Sequence, residues 1–326
     1  MEIVNRPLVS FCIPTYNRAT YLETTLKSYI SCKSFDKNVE LVISDNHSTD
    51  NTQSICEEYA QKYSNIKYFR NDENIYDANF PLALNRASGH YIKLMNDNIH
   101  ITENGLSALV SFIDSMKNER PPIFCCTRYF NHPQKDVIIC NNANEFIRIV
   151  SRSCTAIGMF GAWKEDWDCV IDPLKYSKLQ LSQVDWCYQI INLRKKAILY
   201  TKPYSTKRID MGLRRGGYNW FEVQVHNYYA ILQPYIDNNL ISKYALREEK
   251  ATFLKNIMPW IATRYWLPMY REWQFEWKGS TKYLWDAFKS LPLFYLIMGT
   301  LPIWANYYFF KYYIRSLFVK IGIIVR

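Results

Sequence analysis

"VSFCIPTYNRATYLETTLKSY", residues 9–29, decides how the chain is read. Val9 to Ile13 form a short apolar run that stops at Pro14 and the polar Thr15-Tyr16-Asn17-Arg18. Beyond it, Tyr21, Leu22, Leu26 and Tyr29 recur at helical spacing. An apolar run of that length, closed by a proline and polar residues, is a buried strand, and the change of period marks a strand–turn–helix unit. The strand is expected over 8–14 and the helix over 20–31, with Thr20 and Glu23 as a capping box.

The unit repeats. "VELVIS" (39–44), "IKYFR" (66–70) and "HYIKLM" (90–95) read as strands, and helices are expected at 50–63, at 78–88 and after Thr102. Ser48 or Asp50 suits the cap of the second helix. Strict alternation of strand and helix implies an α/β fold, a mostly parallel sheet with helices on both faces. Ligands of such sheets bind outside the carboxyl ends of the strands, where the strand order reverses. Further on, strands are expected at 122–128 and 196–201 and a helix at 183–194. "RRGGYNW" (214–220) reads as a loop because of its paired glycines. The pattern divides the chain into residues 1–220 and a helical, basic and aromatic region, 221–326.

The 326 residues are 48% hydrophobic and 21% charged, a globular composition. The net charge is +10, and residues 241–326 hold thirteen Lys/Arg against five Asp/Glu. That concentration argues against nucleic-acid binding and for a local anionic surface such as a bilayer. "SLPLFYLIMGTLPIWANYYFF" (290–310) has no charge between Lys289 and Lys311 but is interrupted by Pro292, Gly299, Pro302 and Asn306. In-plane or re-entrant membrane attachment, a core helix pair and a true span all suit it. Nine cysteines show no metal spacing or disulfide framework. With no secretory leader in Met1–Pro7, the N-terminus is expected in the cytoplasm. The histidine spacing suggests no metal site, and P-loop and dinucleotide fingerprints are absent.

Three stretches in order, "VSFCIPTYNRATYLETTLKSY", "ELVISDNHSTDNT" and "RNDENIYDANFPLALNRASGHYIKLMNDN", resemble the nucleotide-sugar half of family 2 glycosyltransferases of GT-A fold. Within the family the chain resembles the bacterial O-antigen and capsule enzymes of the abequosyltransferase type. The resemblance covers about 8–118, continues more weakly to about 208 and leaves the tail uncovered. It implies sugar transfer, with inversion, from a nucleotide donor to a lipid-linked (polyprenyl diphosphate) acceptor at the cytoplasmic face of the inner membrane.

From the residues, Pro14, Thr15, Tyr16 and Arg18 end the first strand, where Tyr16 can stack on a base and Arg18 can meet a phosphate. Asp45 and Asn46 end the second, and the resemblance gives Asp45 a base-reading role; a capping turn is the plainer reading of that segment. Asn79 and Arg86 are candidate pocket liners, or parts of a solvated helix face. Tyr76 stands where the family has Gly, which puts the local nucleotide contact in question.

The family's Asp-x-Asp aligns with Asn96-Asp97-Asn98. Mg²⁺ or Mn²⁺ is the cofactor expected, with Asp97 and Asn98 as its ligand candidates; amides bring no charge, so affinity is expected to be weak unless the substrate diphosphate supplies most of the binding. The alternatives are a metal-free site, with Arg18, Lys93 or the Arg214-Arg215 pair of a candidate lid neutralising the diphosphate, and a dead site. Asp185 matches the layout of the family's general base; its rivals are Glu165, Asp166 and Asp168. Trp186 suits either an acceptor sugar or the core. A catalytically inactive scaffold of the same fold is the second reading. A nucleotidyltransferase lacks support, because "PTYNRAT" has no glycine-rich loop.

Overall fold

In the computed structural model, which describes residues 6–208, 216–266 and 274–320, the alternation over the first third is realised. It runs β1 (Val9–Thr15), α1 (Ala19–Ile30), β2 (Val39–Asp45), α2 (Thr52–Lys62), β3 (Ile66–Arg70), α3 (Asn79–Asn85), β4 (Tyr91–Leu94), β5 (Ile99–Ile101) and α4 (Glu103–Ser115). There follow β6 (Ile123–Cys125), β7 (Val137–Cys140), α5 (Ala143–Val150), β8 (Gly161–Trp163), α6 (Lys164–Trp167), α7 (Ser182–Arg194), β9 (Ala197–Tyr200) and β10 (Ser205–Arg208). The chain continues with β11 (Gly216–Asn219), α8 (Tyr228–Asp237), α9 (Lys243–Trp266), β12 (Gln274–Glu276), α10 (Ser280–Phe288) and α11 (Pro292–Lys320).

The main sheet has the order β3-β2-β1-β4-β8. Its first four strands are parallel and β8 is antiparallel to β4. Every residue of β2 is buried, as is all of β1 except the half-buried Pro14. That double-sided burial is why the strands read as unbroken apolar runs and not as alternation. The chain leaves β1 toward β2 and β3 on one side and returns to β4 on the other, so the order reverses between β1 and β4.

Two local expectations are corrected. Thr20 lies inside α1, whose first turn has no side-chain cap of its own. Instead the Asp50 carboxylate accepts from the Ala19 N–H at 3.0 Å and, through its other oxygen, from the Thr52 N–H at 3.0 Å. One carboxylate from the second unit thus serves two helix starts, where anions are favoured. The described part of "RRGGYNW" is the strand β11, parallel to β12; the distant partner supplies hydrogen bonds that local sequence does not announce. Arg214, Arg215 and the rest of the candidate lid's tip lie outside the described residues.

The boundary expected at residue 220 is crossed by one apolar cluster that runs from Cys12 through Trp186 and Phe253 to Ala305. Helix α11 belongs to it by one face only. Phe294, Ile297, Leu301 and Ala305 are buried, while Leu296, Ile303, Tyr307, Phe310 and Ile314 are exposed. At 3.6 residues per turn these two sets fall on opposite sides of the helix. No described helix is long and apolar enough to cross a membrane.

Candidate active site at the β1–β4 edge

Loops after the parallel strands are strapped to their neighbours. The Asn46 N–H donates to the Thr15 carbonyl, Asn71 N–H to the Asp45 carbonyl, and Met95 N–H to the Cys12 carbonyl, each within 2.8–2.9 Å. This stacks the polar residues that follow β1, β2 and β4 along a single edge. At the reversal between β1 and β4 the Thr15 hydroxyl donates to Asp97 Oδ2 at 3.0 Å. Arg18 Nε stands 3.8 Å from the same oxygen, with its guanidinium 5.2 Å from the Tyr21 ring. Thr15 and Asp97 are buried, Arg18 is half-exposed, and Tyr16 projects with 43% of its surface accessible. A held cation and an open aromatic ring therefore flank a buried carboxylate at the topological switch point.

Several expected liners turn out to brace this edge from behind. Asp45 is fully buried; its Oδ1 accepts from the Ser48 N–H at 2.9 Å and its Oδ2 from the Tyr68 hydroxyl at 2.8 Å. Asn46 Oδ1 accepts from the Asn71 side chain and the Ile75 N–H, and its amide donates to Asn74. Asn79 accepts from Ser44 and Asn71 and donates to the Ser44 carbonyl. Arg86 donates to the Ser44 hydroxyl at 2.6 Å beneath the Phe69 ring, and burial lowers its pKa. These short polar side chains replace a sheet ladder in the turns after β2 and β3. Tyr76 takes φ +51° with 78% of its surface exposed. A tyrosine thus holds a left-handed backbone that favours glycine, with its side chain accommodated by solvent.

Asn96 and Asn98 are half-buried on either side of Asp97. The Asp97 oxygen described above already meets a hydroxyl and a guanidinium, and among the described residues no three His, Cys, Asp or Glu side chains converge. One carboxylate between two amides is too little charge to hold a divalent ion by protein ligands alone.

Asp185 is not brought to this edge. It lines a separate cavity of about 800 Å³ with Asp172, Lys175 and Tyr235, while Asn96 lines another of about 280 Å³. Its oxygens accept from Gln189 Nε2 at 2.7 Å and the Tyr235 hydroxyl at 2.6 Å, and burial raises its pKa. Sequence reasoning missed Gln183, two residues earlier, whose amide donates to the Thr155 carbonyl beside the Asn96 cavity; no local signal separates the two faces of α7. The rivals are paired: Asp166 with Arg194 at 2.5 Å, Glu165 with Arg120 at 2.7 Å and Asp168 with Lys164. Trp186 is core, edge-on to Trp167 at 5.0 Å and to Phe160 at 5.3 Å. Lys93 is fully buried, donating to the Gly158 carbonyl 5.0 Å from the Tyr204 ring, and does not reach the edge.

Residues 10–148 match the family model described as glycosyl transferase family 2. Over that segment the chain is a match to a family 2 glycosyltransferase domain. The chain is 30% identical over 182 residues to the abequosyltransferase RfbV of Salmonella typhimurium, a match covering 50% of this chain and 55% of that protein. It is 32% identical over 106 residues to the GalNAc(5)-diNAcBac-PP-undecaprenol beta-1,3-glucosyltransferase of Campylobacter jejuni, covering 32% of this chain and 34% of the other. The chain thus spans about half the length of the first of these glycosyltransferases and a third of the second. Among solved structures, the mannosyltransferase PcManGT from Pyrobaculum calidifontis, in complex with GDP-Man and Mn²⁺, superposes with a TM-score of 0.54 at 17% identity. That match covers 95% of this chain and 84% of the other, and it shows that the two share a fold.

Proposed function

We propose that the chain is a glycosyltransferase. It moves one sugar from a nucleoside-diphosphate donor to a lipid-linked oligosaccharide acceptor in bacterial surface-polysaccharide assembly, with inversion as the family resemblance implies. The observation that carries this reading is the Thr15–Asp97–Arg18 cluster at the reversal of strand order. Departure of the nucleotide concentrates negative charge on the diphosphate, and a fixed guanidinium at that point stabilises the charge as it develops. Asp97 and Thr15 hold the cation in place, and Tyr16 offers a ring to the base. A divalent ion would add charge to the same diphosphate; Asp97 is the carboxylate this chain would offer it, with most other ligands coming from the donor.

The acceptor half of the proposal is supported by the Campylobacter relative, whose name carries a PP-undecaprenol acceptor, and by α11. A helix that packs one apolar face on the core and turns a second, Leu296 to Ile314, outward suits in-plane docking on the cytoplasmic face of the membrane. Confinement to the bilayer raises the encounter rate with a lipid-bound acceptor. The test uses bacterial membranes bearing lipid-linked glycans, with sugar transfer read by mass spectrometry. Transfer from one nucleotide sugar is expected, and co-sedimentation with anionic vesicles should fall when Leu296 and Ile303 are both changed to Glu. Transfer from no nucleotide sugar would refute the enzymatic proposal, and unchanged sedimentation would refute the docking face.

A further inference from the structure

The cavity of about 280 Å³ beside Asn96 is lined by Arg128, Arg152, Thr155 and Tyr204, and no Asp or Glu appears among its described lining residues. Arg152 is half-buried, and its guanidinium lies 5.7 Å from the Trp220 ring and 5.8 Å from the Phe253 ring. Its Nε is buried without a hydrogen-bond partner. Burial lowers its pKa, and the nearby Arg128 lowers it further. The neighbouring Glu249 acts in the opposite direction on Arg152, but it is fully buried and accepts from the Ser151 and Tyr229 hydroxyls.

Two adjacent guanidiniums in an acid-free cavity, one with a buried unpartnered N–H, are costly in the ligand-free protein. Aromatic rings against a guanidinium hold it flat and leave its in-plane N–H groups available. Ser151, the residue before Arg152, has φ +47° and ψ −138°, a conformation rare outside glycine and held here by the bond to Glu249. Strain kept in place by a buried hydrogen bond, next to an unsatisfied cation, is what a ligand clamp shows.

We propose that Arg128 and Arg152 bind a phosphate oxyanion of the acceptor in this cavity. The oxyanion chemistry rests on the cavity itself, and its assignment to the acceptor rests on the glycosyltransferase reading. The donor's diphosphate is met by Arg18 at the β1–β4 edge. The new site lies between the Cys125–Arg128 segment after β6 and the Ser151–Thr155 turn, on the second half of the domain, with Asn96 common to both. An acceptor phosphate held there keeps the acceptor within reach of the donor while the lipid chain leaves toward the membrane.

The test is equilibrium binding of two probes to the full chain, farnesyl diphosphate and the nucleoside diphosphate that the wild type binds. Arg128→Ala removes an exposed side chain, and Arg152→Met replaces the guanidinium near Trp220 and Phe253 with an uncharged side chain that can still fill space there. Each is expected to weaken farnesyl diphosphate about tenfold or more, the scale of a charge-assisted hydrogen bond, and to leave nucleotide affinity unchanged. No effect of Arg128→Ala and of a folded Arg152→Met on farnesyl diphosphate overturns the proposal. An equal loss of nucleotide affinity overturns it as well, by giving the cavity to the donor. Failure of the wild type to bind any nucleotide would instead count against the enzymatic reading, leaving farnesyl diphosphate binding to judge the cavity.

Discussion

Asp97 and Asp185 are both buried carboxylates, yet they sit in opposite kinds of surroundings. Asp97 ends a parallel strand unit and faces a hydroxyl and a guanidinium open to solvent. Asp185 lies on the first turn of α7, held by a neighbour one turn on and by a tyrosine from α8. The first stands at the carboxyl end of a parallel strand, at the reversal of strand order where ligands of such sheets bind. The second is hydrogen-bonded within α7 and across to α8. Glu249 is of the second kind, bridging α9 to Ser151 and Tyr229. Acidity in a sequence therefore says little about role; the strand end or helix interface that receives the residue decides it.

The contrast breaks first at Asp97. Asp97→Ala should lower kcat/KM by about 10²–10³, the scale for losing one organised charge at a reacting centre, with the melting temperature little changed. If activity survives, the β1–β4 edge is not the reacting site.

Glu249 gives the next effect. Burial raises its pKa to about 7 from the usual 4.5. The folded state binds its proton more tightly than the unfolded state, so the group's contribution to stability is complete below about pH 4.5 and is lost as pH rises toward 7. The full loss is of order 3 kcal/mol. Glu249→Gln should flatten the stability profile across that window in denaturant titrations; an unchanged slope would show that Glu249 does not set it.

Smallest is Asp185→Asn, expected to cost about 1–2 kcal/mol through the Gln189 contact, with turnover within a few-fold of wild type. A loss of turnover with stability intact would mark Asp185 as the base and erase the contrast.

The first third of the fold was legible because apolar strands and helices alternate from Val9 to Leu94. Thr15, Tyr16, Arg18 and Asp97 were legible for the same reason, since each follows a recognisable strand. Asp45, Asn46, Asn79 and Arg86 were not separable from them. A polar residue after a strand gives one signal whether it reaches a ligand or braces a turn, and only the Ser44–Asn79 and Asn46–Asn71 bonds distinguish the two. The cap from Asp50 to Ala19 crosses 31 residues, and the pairing of β11 with β12 crosses more. Neither leaves a local trace. Helix α11 looked uniformly apolar because both of its faces are, one for the core and one exposed.

The central claim is that the Thr15–Asp97–Arg18 edge binds a nucleoside diphosphate. Calorimetric titration of the detergent-purified chain with UDP, GDP, CDP and dTDP, with Mn²⁺ and with EDTA, tests it directly. The account predicts that one of the four binds, that EDTA weakens it by less than about tenfold, and that Arg18→Ala weakens it by about tenfold or more. Binding of none, or binding indifferent to Arg18, would contradict it and favour a scaffold that has kept the fold without the chemistry.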